Sequence, residues 1–221
     1  MPKPSSIGSI VGPAALVLGL TAALALPLTA PATAQQPAET SARLTCTGPF
    51  SAEASHASLV AIVGKDNAIF ELVDGAEGEK VASTVLFPKN EKRRLELMWA
   101  DENKRRGLVH VRLSDTSTWV APNGLKIGMT LAEVEKLNGE PFTLSGFDWD
   151  YGGYVTDWKG GTLGADIPGG CTVQARFTVP EGAPEGPASK VSGDREFAST
   201  DKNMRAVKPV IGSLSFGFPQ P

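Results

Sequence analysis

The run Arg94-Leu95-Glu96-Leu97-Met98-Trp99 alternates so that Leu95, Leu97 and Trp99 fall on one side. That period of two predicts a strand over 93–99 with one buried face. A second alternating run covers 108–113, and one of its two phases turns Leu108, His110 and Arg112 outward. Clusters of β-branched and large apolar residues predict further strands over 67–73 and 81–87, with a turn at Asp74-Gly75 and a stop at Pro88-Lys89-Asn90. Ahead of them, 58–64 reads as a short apolar helix, capped by Ser55 and ended by Gly64.

The pattern then starts again. Pro122-Asn123-Gly124 marks a turn, and Thr130 with Glu133 forms a capping box for a helix over 131–137. Its apolar stripe is Leu131, Val134 and Leu137, and Asn138-Gly139 with Pro141 ends it. Strands are expected over 142–147, 153–158 and 172–179, a flexible Pro-, Gly- and Glu-rich loop over 180–193, a short helix around 201–207 and a strand over 210–216. The fold class is α+β: short helices packed on antiparallel β-sheet, with two candidate repeat halves at 56–121 and 122–221.

The first 34 residues change the setting. Lys3 precedes an apolar run over 14–28, and Ala32-Thr33-Ala34 matches a small-x-small cleavage site before Gln35. Residues 1–34 are thus expected to be a signal peptide, and the protein to work in the periplasm or outside the cell. The apolar run is too short and too rich in Pro and Ala to suggest a stable membrane span, so a soluble mature chain is expected. The lead-in over 35–55 holds Cys46, well downstream of the apolar run, where a lipid anchor would not place it. With Cys171 as the only other cysteine, one intramolecular disulfide is expected, Cys46–Cys171. The formal net charge of −3 gives no reason to expect nucleic acid as a partner.

The densest candidate chemistry is Asp148-Trp149-Asp150-Tyr151-Gly152-Gly153, with Asp157 and Trp158 soon after. Asp148, Trp149, Asp150, Tyr151 and Trp158 form a candidate contact surface for a protein or a sugar, because Trp and Tyr give large contact area at low entropic cost. The bland alternative is a hairpin turn whose aromatics cap the core. No metal spacing surrounds His56 or His110, and no Gly-rich loop cradles a nucleotide, so neither metal nor cofactor is expected. His56 reads as a surface residue and His110 as a structural one. No serine sits in a G-x-S-x-G elbow. Two basic clusters, Lys92-Arg93-Arg94 and Lys104-Arg105-Arg106, are either solvated turns or, brought together at hairpin ends, a site for an anion such as phosphate or lipopolysaccharide.

Val85-Leu86-Phe87-Pro88, Arg93-Arg94-Leu95-Glu96, the run from Leu137 to Phe142 and the run from Gly146 to Gly153 resemble a group of uncharacterised exported bacterial proteins. That resemblance implies compartment and carries no activity. Ile127-Gly128-Met129-Thr130, Val134 and Leu137-Asn138-Gly139-Glu140-Pro141 are also similar to the Gly-x-Thr…Val…Leu-Gly-x-Pro pattern of the small lipoprotein of the outer-membrane barrel assembly machine. The exported β-lactamase inhibitor proteins are similar to two such units in tandem. These likenesses imply helix-plus-sheet units that bind without catalysis, although this chain lacks the lipid-site cysteine. The function expected is a non-catalytic protein-binding or envelope-associated module. The alternatives are a structural envelope component without ligand and a hydrolase with dispersed catalytic residues.

Overall fold

Helix α1 (His56–Val63) begins where Ser55 and Ser58 cap each other reciprocally, and it ends at Gly64. In the computed structural model, which describes residues 42–75 and 78–219, four strands follow it. They are β1 (Ala68–Asp74), β2 (Lys80–Leu86), β3 (Leu95–Asp101) and β4 (Arg106–Leu113). Helix α2 (Leu131–Asn138) is held by the capping box of Thr130 and Glu133 and stopped by left-handed Gly139. After it come β5 (Thr143–Ser145), β6 (Val155–Asp157), β7 (Thr172–Thr178), α3 (Glu185–Lys190), β8 (Glu196–Ala198), α4 (Lys202–Val207) and β9 (Val210–Gly217). The expected signal peptide, 1–34, lies outside the described residues.

The strands form two antiparallel sheets, β1-β2-β3-β4-β9-β7 and β6-β5-β8, so the α+β class holds. The helix-then-strands order recurs, but of the strands after α2 only β5, β6 and β8 form a sheet of their own, while β7 and β9 join the strands that follow α1. One face of the large sheet buries Leu95, Leu97, Trp99, Val111, Leu113, Leu214 and Phe216 in a core shared with Leu59, Val134, Phe142 and Leu144. Leu108 belongs to that core too, contrary to the outward phase. The pairs Met98–His110 and Trp99–Leu108 leave Val109 as an extra residue, and this bulge shifts the alternation midway along β4.

The opposite face is covered in part by the sheet itself. β1 and β2 pair over seven residues, but β2 and β3 pair over only Thr84 to Leu86. The β1–β2 hairpin therefore bends away from β3 and reaches across that face. Arg112 donates to the Asp74 carbonyl at 2.8 Å, and Arg94 approaches Glu71 at 3.4 Å. Val73, Ser83 and Val85 are buried as a result.

Two expectations change, and one alternative falls away. Leu137 is exposed, and Asn138 takes the buried place on α2. The 180–193 segment contains α3, which starts after Pro184. The two basic clusters lie at opposite ends of β3, about 20 Å apart for a strand of that length, so they form no joint anion site. Arg93 instead covers the rings of Phe87 and Trp119, and Arg105 covers Phe70.

Cys46 and Cys171 form the disulfide across 125 residues, with their Cα atoms 5.9 Å apart. Gly169 permits the approach: its φ is +98°, and a Cβ there would collide with the Cys46 carbonyl. Among the described residues no helix is long and apolar enough to cross a membrane.

Candidate functional site

The loop from Gly146 to Tyr154 is organised by one buried hydroxyl. Ser145 Oγ donates to the Tyr151 carbonyl at 2.6 Å and accepts from the Tyr154 amide at 3.1 Å. Gly153, at φ +80°, lies so close to β7 that a Cβ would occupy the place of the Phe177 carbonyl. The Phe177 amide donates to the Gly153 carbonyl at 2.8 Å, and Tyr154 bridges Arg176 antiparallel. Arg176 Nε donates to the Gly152 carbonyl at 2.7 Å while its guanidinium covers the Tyr154 ring. The loop is thereby pinned against β7, an edge strand of the large sheet.

Beside that bridge a groove of about 370 Å³ opens between β6 and β7. Tyr151, Tyr154, Val155 and Trp158 line one side, and Val173, Gln174 and Ala175 the other. Tyr151 is 69% exposed and meets Trp149 edge-on, 5.5 Å between ring centroids. Trp158 is half-buried against Phe142 at 5.3 Å. Its position is set by Asn138, whose side-chain amide donates to the Trp158 carbonyl at 2.9 Å and to the Glu140 carbonyl at 2.8 Å. The same side chain accepts from the Leu163 amide at 3.1 Å.

The structure thus unites two of the five residues singled out by sequence, Tyr151 and Trp158, and adds Tyr154, Val173 and Gln174 to them. Trp149 supports the loop from behind: it is half-buried, and its indole N–H donates to the Gly146 carbonyl at 2.9 Å. Asp148, at φ +63°, lines a separate groove of about 310 Å³ with Phe147, Gly152 and Arg176. Asp150 is exposed and lines neither groove. Asp157 pairs with Lys159 at 2.8 Å, and that hydrogen bond holds its carboxyl below the usual range.

Two further grooves exist. One of about 630 Å³ runs beside α2 over Ile127, Met129 and Leu137, with Lys126 and Lys136 at its rim. The other, about 300 Å³, contains the Arg94–Glu96–Arg112 ion pairs. Neither histidine lines any of these four grooves. His56 is not the surface residue expected. It is half-buried, its Nδ1 lies 3.0 Å from Thr84 Oγ1, and that hydroxyl also accepts from the Trp99 indole at 3.0 Å. Burial, and secondarily the charge of Arg105, lowers its pKa from the ordinary 6.5. Burial and then Arg112 lower that of His110. Neither imidazole has a carboxylate within 4.0 Å among the described residues.

Compared with known proteins, the chain matches no family model, no curated protein and no solved structure.

Proposed function

We propose that this chain is an exported, non-catalytic binding module that takes an extended polypeptide segment of an envelope or secreted partner into the groove between β6 and β7. One observation carries the reading: an exposed tyrosine and a second tyrosine, on a loop fixed from inside by Ser145, converge with a tryptophan along the edge of β7. An extended segment laid there gains main-chain bonds from the part of the β7 edge that the Gly153–Tyr154 segment leaves open, and side-chain contact from the rings. Aromatic residues held in place in this way lose little entropy on binding, which suits them to carry most of the affinity. The disulfide supports an oxidising compartment, as does the signal-like sequence over 1–34.

A photo-reactive phenylalanine analogue placed at Tyr151, with a second placed at exposed Glu102 as control, tests this in intact envelopes. Crosslinking to one partner from position 151 and not from 102 is the expected result. Equal crosslinking from both positions, or none from 151, overturns it. N-terminal sequencing of the exported protein is expected to begin at Gln35, and a protein that stays reduced in the cytosol contradicts export.

A further inference from the structure

We infer that β1 is the seam of a two-fold dimer, in which β1 pairs antiparallel with β1 of a second copy of this chain. The inference rests on the opposite edge of the large sheet from the β7 groove, so it stands or falls independently of the function proposed above.

The direction of the main-chain groups on β1 follows from two hydrogen bonds. The Phe87 amide donates to the Asn67 carbonyl, and the Gly75 amide donates to the Glu79 carbonyl, both at 2.8 Å. These bonds bracket the β1–β2 register, so odd-numbered residues of β1 turn their N–H and C=O toward β2. Ala68, Phe70, Leu72 and Asp74 therefore turn theirs to the open edge. Proteins usually protect such an edge with proline, lysine or a bulge. β1 has none of these over Ala68–Asp74, and its register with β2 is unbroken. The other edge, β7, is closed in part by the Gly153–Tyr154 segment.

Apolar side chains are left exposed beside the same edge. Leu72 is 58% exposed and Phe70 44%, with Arg105 over its ring, and both point to the side of the sheet on which α1 lies, because Phe70 pairs with Thr84, the partner of His56. Ile62, on α1, is also 58% exposed.

The sequence of β1 is complementary to itself. With the two-fold axis at Glu71, Phe70 faces the second Leu72 twice and Ile69 faces the second Val73 twice. The outward-turned residues then meet as hydrogen-bonded pairs, so main-chain geometry and side-chain chemistry agree on one register. Asp74 at the tip already accepts from Arg112, which centres the new ladder on the two Phe70–Leu72 pairs. The two Glu71 side chains meet at the axis, each with Arg94 of its own chain at 3.4 Å to offset the like charge. The contact is closed by its symmetry, giving one continuous twelve-stranded sheet and leaving both β7 grooves free.

Sedimentation equilibrium of the disulfide-bonded protein is expected to show a reversible monomer–dimer system. Leu72→Lys, at an exposed site that leaves the melting temperature unchanged, weakens the dimer roughly tenfold or more. At the axis residue 71 faces its own copy as a non-hydrogen-bonded pair, with Cα atoms about 4.5 Å apart, within disulfide range. Glu71→Cys is therefore expected to give a covalent dimer on mild oxidation, and Thr116→Cys, on an exposed loop, to give none. A single monomeric species at all concentrations, a dimer unaffected by Leu72→Lys, or equal crosslinking of the two cysteine variants overturns the proposal.

Discussion

Asn138 concentrates more structural consequence than any other side chain near the groove. Its amide is buried at the end of α2 and makes three hydrogen bonds to main chain, one of them to Trp158. The helical stripe Leu131, Val134, Leu137 did not foretell this, because at 3.6 residues per turn Asn138 lies about 20° from Leu131 around the helix and Leu137 about 120°. Gly161 packs tightly on the same side chain, since a Cβ there would overlap the Asn138 amide. Asn138→Ala leaves two carbonyls and one amide without their partner, and is expected to cost about 2–3 kcal/mol of unfolding free energy. Urea denaturation measures it, and a loss below about 0.5 kcal/mol contradicts the role given to this residue. Tyr151 was legible from sequence as one of a dense set of aromatics on a Gly-rich turn. Tyr154 and Gln174 were not, because nothing local reveals that residues 154 and 174 lie across one groove.

Between elements, the bond between His56 and Thr84 ties the first turn of α1 to β2, and Thr84 in turn receives Trp99 of β3. A positive charge at the start of a helix opposes its dipole, so neutral imidazole suits this place. The folded protein holds the pKa of His56 below 6.5, chiefly by burial, and that of His110 in the same direction. As pH falls below 6.5, the unfolded chain takes up protons before the folded one does. Stability contributed by these groups is present above that pH and is lost as pH falls through the lowered pKa values. Melting temperature is expected to drop between pH 7 and pH 5 by more in the wild type than in His56→Gln, and equal slopes contradict the assignment. The strand 93–99 could be read directly, since Leu95, Leu97 and Trp99 keep their alternation throughout. β4 could be read only as far as its bulge, where one extra residue reverses the phase. α3 and β8 were missed because three to six residues carry too little periodicity to stand out from a Pro- and Gly-rich stretch.

At the scale of the whole molecule, the disulfide joins the lead-in to the start of β7, the strand that forms one wall of the groove. Closing so long a loop restricts the unfolded chain by about 4–5 kcal/mol in the entropic model. The α+β class and the pairing of the cysteines were accessible from sequence, since helix caps, alternation and a count of two cysteines are local or exhaustive signals. How the strands divide between two sheets was not, because β9 returns from the far end of the chain to lie between β4 and β7. The groove exists only because of that division, where an edge of one sheet meets an edge of the other. The central claim is that this meeting point binds a partner through its rings. The most direct test is the affinity of the partner captured from position 151, measured for wild type and for Tyr151→Ala. Tyr151 is exposed, so its loss is expected to leave the melting temperature unchanged and to weaken binding roughly tenfold or more. An affinity equal to that of the wild type would contradict the account.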